Sequence, residues 1–245
     1  TALASTCDEK LIKRMGKALG EECRKEDVAV LLSPGINIKR LPICGRNFEY
    51  FSEDPYLSGK MGAALIKGIQ SKGVAACIKH FAANNQEKYR MTVNAIIDER
   101  ALMDIYLKGF EIAIKESNPW SVMMAYNKLN GHYCSENKYL IQSVLRNEWN
   151  YKGCITSDWG GVNDIISSIN NGLNIEMPGY KDDYYKVLQN AVKNNDINEE
   201  ILNKSVSRVI ELILKYKEGK KIPYKCNFQE HINLAEEIAE NIAVL

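Results

Sequence analysis

Gly153-Cys154-Ile155-Thr156-Ser157-Asp158-Trp159-Gly160 is the stretch on which the reading of this chain turns. Cys154-Ile155-Thr156 is short, apolar and β-branched, which suits a strand buried on both faces. Asp158 stands where that strand runs out, with a hydroxyl before it and an indole after it. Gly160-Gly161 then lets the backbone leave at any angle. In a parallel α/β protein ligands bind at the carboxyl ends of the strands, so an acid beside an aromatic platform reads there as chemistry. The plainer alternative is an aspartate that caps a helix beginning near Val162.

Working outward, the same pattern recurs on both sides. Upstream, Ser121 to Tyr126 is an apolar strand ending in Asn127, Gly73 to Phe81 is another running through Lys79-His80, and Val28 to Ser33 is a third, stopped by Pro34-Gly35. Downstream, Leu173 to Pro178 is a further short strand. Helical spacing fills the intervals. Leu11, Met15, Ala18 and Leu19 mark an opening helix, Ser52-Glu53-Asp54-Pro55 starts a second, and Asp98 caps a third. Helices are also predicted over Tyr139–Glu148 and Val162–Ile169. Two more close the chain, the last presenting Leu202, Val206, Val209, Ile210 and Ile213 on one face.

This β-then-α order with non-alternating strands predicts an α/β fold, a (β/α)8 TIM-like barrel with parallel strands and outer helices. Only five strands are legible, so the barrel is expected to be incomplete. The expected division is a barrel domain over 1–216, a linker over 217–230 with Gly219 and Pro223 among charges, and the start of a second domain over 231–245. Ile242-Ala243-Val244-Leu245 reads as a further apolar element beginning.

Charge narrows the partners. The 32 basic and 31 acidic residues leave a net +1. With no basic run or aromatic-interleaved basic stripe, neither nucleic acid nor an anionic membrane is expected as partner. No apolar run reaches the roughly 18 residues of a membrane span. Seven cysteines without a Cys-x-x-Cys pair, and three histidines, argue against zinc or a redox motif. No metal and no cofactor is expected. Unpaired, scattered thiols suit a reducing, cytoplasmic setting, and secretion stays open because the start of the chain carries no information on a leader.

Polar residues at the strand ends form the candidate site. Lys79 and His80 end one strand, Tyr126 and Asn127 another and Asp158 a third, with Arg46 in the loop after the first. Barrel closure would gather these tips at one mouth. Taken singly, Lys79 could face solvent, His80 could be a core histidine, Arg46 and Arg90 surface ion pairs, and Tyr126 simple packing. Their joint position is what favours a site.

With these residues in place, the chain resembles the barrel domain of glycoside hydrolase family 3, the β-glucosidases and their relatives. The matching segments are Leu32 to Arg40, Gly45-Arg46-Asn47-Phe48-Glu49, Ser52-Glu53-Asp54-Pro55, Lys79 to Glu87, Arg90-Met91-Thr92-Val93, Met124-Ala125-Tyr126-Asn127, Ser157-Asp158-Trp159-Gly160 and Glu176-Met177-Pro178-Gly179. They run in family order. The resemblance implies that Asp158 is the nucleophile of a retaining hydrolase. It implies that Arg46, Lys79, His80, Arg90 and Tyr126 bind the sugar in the cleaved subsite, and that Trp159 walls its entrance. The substrate would be a small-molecule or oligosaccharide β-glycoside, with β-glucosidase the leading activity and a β-xylosidase-type exo-glycosidase or a non-catalytic carbohydrate-binding barrel as alternatives.

Retention also needs a second carboxyl group about 5 Å across the scissile bond. The resemblance gives that task to a second domain of the same polypeptide and not to Glu49, Glu87 or Glu176. The resemblance also implies an aspartate after the family's first strand that grips the sugar; this chain starts too late to contain it and reads as an internal piece of a longer protein. Lys79 and His80 pose a geometric question. Consecutive side chains of a regular strand point to opposite faces, so joint contact with one sugar requires a break in regular extension between Lys79 and Phe81.

Overall fold

The chain alternates helix and strand because each strand is too apolar to stand uncovered and each helix has one face to bury. The computed structural model describes residues 1–179 and 183–243. A short helix α1 (Ala2–Ser5) precedes α2 (Glu9–Lys25), which Asp8 caps by accepting from the amides of Lys10 and Leu11. Strand β1 (Val30–Leu31) follows, and the loop after it leads to α3 (Pro55–Gln70). There the expected start signal holds, with Pro55 in the first turn and the Asp54 carboxylate accepting from Tyr56 and Leu57.

Strand β2 (Ala75–Phe81) and the two-residue β3 (Asn94–Ala95) come next, then α4 (Glu99–Ala101), a π-helical turn and α5 (Lys108–Ser117). Asp98 caps this run by accepting from the Ala101 amide. Strand β4 (Ser121–Met124) leads to β5 (Lys128–Leu129) and β6 (His132–Tyr133), and a second π-helical run spans Tyr139–Glu148. Strand β7 (Cys154–Trp159), α6 (Ile165–Asn171), β8 (Ile175–Met177), α7 (Asp183–Lys193), α8 (Glu199–Gly219) and α9 (Phe228–Ile242) complete the order.

Strands β1, β2, β4, β7 and β8 form one sheet in that order, every neighbouring pair parallel. Sequence order equals sheet order, with helices between most neighbours. The sheet therefore curls as part of a barrel with helices outside. These five strands are the five predicted, so the TIM-like barrel is incomplete among the described residues. The larger of two apolar clusters includes Phe81, which meets Phe110 at 5.1 Å and Trp149 at 5.8 Å, ring centroid to centroid and edge-on; the smaller gathers Ala75, Cys154 and Leu212.

Two expectations are corrected, and one element is new. Of the last predicted face, Val206, Ile210 and Ile213 lie on the exposed side of α8, while Leu202 is half-buried and Val209 packs against the cluster of Ala75, Cys154 and Leu212; the buried positions of α8 are Ser205, Leu212 and Gly219, seven apart. Ser205 fixes that rotation by hydrogen bonding to Asn174 and to the Leu173 carbonyl. The helix expected from Val162 begins at Ile165. The small sheet β3-β5-β6 was not expected, although its β5–β6 turn carries the Asn130-Gly131 pair with both residues at positive φ.

Helical ends enter the 217–230 range from both sides. Helix α9 lies against α2, with Arg14 paired bidentately to Glu237 at 2.5 and 2.7 Å and His231 within 2.7 Å of Glu22. Val244 and Leu245, in the last predicted apolar run, lie outside the described residues.

Candidate active site

Asp158 sits at the tip of β7, where the strand's buried residues give way to exposed ones. One carboxylate oxygen, Oδ1, accepts from the Trp159 amide at 2.7 Å. The other, Oδ2, is buried and takes no hydrogen bond from the chain, and His80 Nε2 stands 3.5 Å from it. Asp158 does not cap the following helix. Asp164 does, accepting from the amides of Ile166 and Ser167, so the architectural alternative for Asp158 falls away. Behind the acid the chain turns at Gly160, at φ +72°, and passes so close to Tyr126 that a Cβ at Gly161 would lie 3.3 Å from its ring.

His80 reaches Asp158 from β2, two strands away. Its backbone is clasped by Asn37, whose amide donates to the His80 carbonyl and accepts from the His80 amide, both at 2.8 Å. The expected break in regular extension is present: the β2–β4 register shifts between Ile78 and Phe81, and the Lys79–His80 and Phe81–Ala82 peptides are cis. The imidazole is 1 % exposed. Burial, then the charges of Arg46, Lys79 and Arg90, drive its pKa down to about 2, so the ring is neutral and its approach to Asp158 is not an ion pair.

Cations ring this centre, each held by a carboxylate. Arg46 donates to Glu49, and Lys79 Nζ lies 3.8 Å from the other oxygen of the same residue. Burial works against the Arg46 charge, yet the bond to Glu49 leaves its pKa raised. Arg90 donates to Glu87 at 2.8 Å, and its guanidinium lies over the Tyr126 ring, 4.8 Å from the centroid. Tyr126 donates to the Trp159 carbonyl at 2.8 Å, and burial together with the Asp158 carboxylate pushes its phenol up to about 12.

Thus the structure brings Asp158, His80, Arg46, Lys79, Arg90 and Tyr126 into one connected cluster. Trp159 is joined to it through its backbone, while its indole stands 66 % exposed at the rim. Sequence reasoning missed Glu49, Glu87, Tyr50 and Asn84 as parts of the cluster. The two glutamates did carry a signal, since each lies three residues from an arginine it pairs with. Cavity size is no guide here. A cavity of about 710 Å³ lined by Ile38, Arg40, Asp98 and Ile105 contains none of the expected residues. Among the described residues no group of three or more His, Cys, Asp or Glu could hold a metal. No described helix is long and apolar enough to cross a membrane.

The sequence profile described as "Glycosyl hydrolase family 3 N terminal domain" matches residues 1–212. The chain is 53 % identical over 243 residues to "Thermostable beta-glucosidase B" of Acetivibrio thermocellus, covering 99 % of this chain and 32 % of that protein. It is 42 % identical over 243 residues to "Exo-alpha-(1->6)-L-arabinopyranosidase" of Bifidobacterium breve, covering 99 % and 31 %. Beta-glucosidase 3B from Thermotoga neapolitana, solved in complex with glucose, superimposes with a TM-score of 0.94 at 46 % identity, over 98 % of this chain and 35 % of that one. The chain therefore spans about a third of the length of these relatives.

Proposed function

This chain belongs to glycosyl hydrolase family 3, within its N-terminal domain, and on that premise we propose that it carries the nucleophile and sugar-gripping half of a retaining β-glucosidase. The observation that supports this most directly is the pairing of a buried carboxylate oxygen that lacks a donor, Asp158 Oδ2, with an imidazole 3.5 Å away inside a ring of cations.

In this reading Asp158 attacks the anomeric carbon of a β-glycoside, the leaving-group oxygen departs with a proton, and water later releases the glycosyl-enzyme. Arg46, Lys79, His80 and Arg90 supply donors to sugar hydroxyls. Tyr126 lies against the reacting ring and Trp159 forms an apolar wall for the departing group. The proton for the leaving group comes from a carboxyl group of a second domain in the same polypeptide. Glu49 and Glu87 are poor candidates for it because both are engaged by arginines.

A second reading concerns the sugar. Similarity to an arabinopyranosidase favours keeping pyranosides without the glucose hydroxymethyl, arabinosyl or xylosyl, as alternative substrates. The test is covalent trapping in the intact polypeptide with 2-deoxy-2-fluoro-β-glucosyl, β-xylosyl and α-L-arabinopyranosyl fluorides. Peptide mass mapping should find the label on Asp158, and the fastest-labelling sugar names the substrate. Labelling of another carboxylate moves the nucleophile away from Asp158, and labelling of none leaves a binding barrel; either sinks the assignment.

A further inference from the structure

Tyr50 lies in the loop between β1 and α3, has no exposed surface, and has no task in the scheme above. Its hydroxyl oxygen is 2.9 Å from Asn84 Nδ2 and 3.1 Å from His80 Nδ1. An amide nitrogen can only donate. The other proton of Asn84 Nδ2 goes to Glu87 Oε1 at 3.1 Å, and turning the amide over would set its oxygen against that carboxylate. Tyr50 therefore accepts from Asn84 and has one proton to give. Burial raises the phenol's pKa, which keeps that proton in place. The acceptor within reach is His80 Nδ1.

An imidazole whose Nδ1 accepts is protonated at Nε2, and Nε2 is the atom facing Asp158 Oδ2. The opposite tautomer would turn a lone pair on the carboxylate and leave the Tyr50 proton without this acceptor. Resting on the glycosidase reading of Asp158 and His80, we propose that Tyr50 is a positioning residue that fixes His80 in the Nε2–H tautomer. The ring then has one proton to offer, on Nε2, which faces the nucleophile in the free site and is available to a sugar hydroxyl when a glycoside binds. The relay extends further, from Arg90 through Glu87 and Asn84 to Tyr50, so the cation over Tyr126 and the histidine beside Asp158 are set by one hydrogen-bonded chain.

The test is nitrogen NMR of the chain labelled with 15N-histidine. Only three histidines are present, and His80 is assigned by its loss in His80→Gln. Between about pH 5 and 8 the His80 ring should show a protonated Nε2 and a bare, hydrogen-bonded Nδ1. Tyr50→Phe should move the Nδ1 resonance toward that of an acceptor with no donor. Asn84→Asp should draw the Tyr50 proton to the new carboxylate and place a proton on Nδ1, which keeps the test available if the phenylalanine variant does not fold. A protonated Nδ1 in the unsubstituted chain, or an Nδ1 signal that neither variant moves, overturns the proposal. In the intact polypeptide Tyr50→Phe should lower kcat/KM about fivefold to tenfold, the value of one neutral hydrogen bond. Fluoroglycoside labelling should stay on Asp158. Labelling elsewhere, or none, with the tautomer as stated would remove the reading of Asp158 as nucleophile and leave the tautomer intact.

Discussion

Glu49 takes the Arg46 guanidinium on one oxygen and faces Lys79 with the other, so a single carboxylate orients two cations drawn from separate segments. Glu49→Gln should loosen both. Because the cations grip ground state and transition state alike, KM should rise by about tenfold with kcat changed less. Steady-state kinetics of the intact polypeptide on an aryl β-glucoside checks this, and a fall in kcat with KM constant would contradict it. His80 makes a prediction about acid. An unfolded imidazole titrates near 6.5, whereas the folded ring holds out to about 2. Below pH 6.5 the unfolded chain takes up a proton that the folded chain refuses. Stability should therefore fall as pH drops from 6.5 toward 2, by about 1.4 kcal/mol per unit from this residue, and be untouched by it above 6.5. His80→Gln should flatten the pH dependence of unfolding in that window, measured by urea titration; superimposable slopes would refute it.

Elements decide how the cluster is assembled, and two of them meet on bare backbone. Where α2 crosses α3, a methyl group on Gly68 would overlap the Lys13 carbonyl, and one on Gly16 the Leu65 carbonyl. Gly68→Ala should force the pair apart and cost about 1–3 kcal/mol, visible as a lower Tm; an unchanged Tm would mean the crossing gives way freely. Much of this scale was legible in the sequence. Cys154 to Thr156 announced a doubly buried strand, and Asp54-Pro55 and Asp98 announced helix starts, because both signals are local. Positions set by remote partners were less readable. The rotation of α8 depends on Ser205 finding Asn174 and Leu173, and no apolar period encodes that. The three-residue spacing of the arginine–glutamate pairs at 46–49 and 87–90 was a hint, but both lie in loops, where spacing fixes no face, so the hint alone did not place the glutamates in the cluster.

For the whole molecule, the candidate site draws on loop, β2, β4 and β7 segments from Arg46 to Asp158, and only the curvature of the parallel sheet makes them neighbours. A site so assembled still lacks a free acid opposite Asp158 among the residues described in the cluster. The 245-residue chain alone should thus turn over an aryl β-glucoside far below the ordinary scale of about 10 per second, and a normal rate would show that the acid lies within it. The cluster's charges have one more consequence. Three cations meet three carboxylates around an uncharged ring. A cup balanced in this way projects little field into the solvent, so counter-ions have almost nothing to screen. In the intact polypeptide, KM for an uncharged glycoside should vary by less than about twofold between roughly 0.05 and 0.5 M sodium chloride, and the cup should tell neutral solutes from anionic ones by desolvation, with no help from long-range attraction.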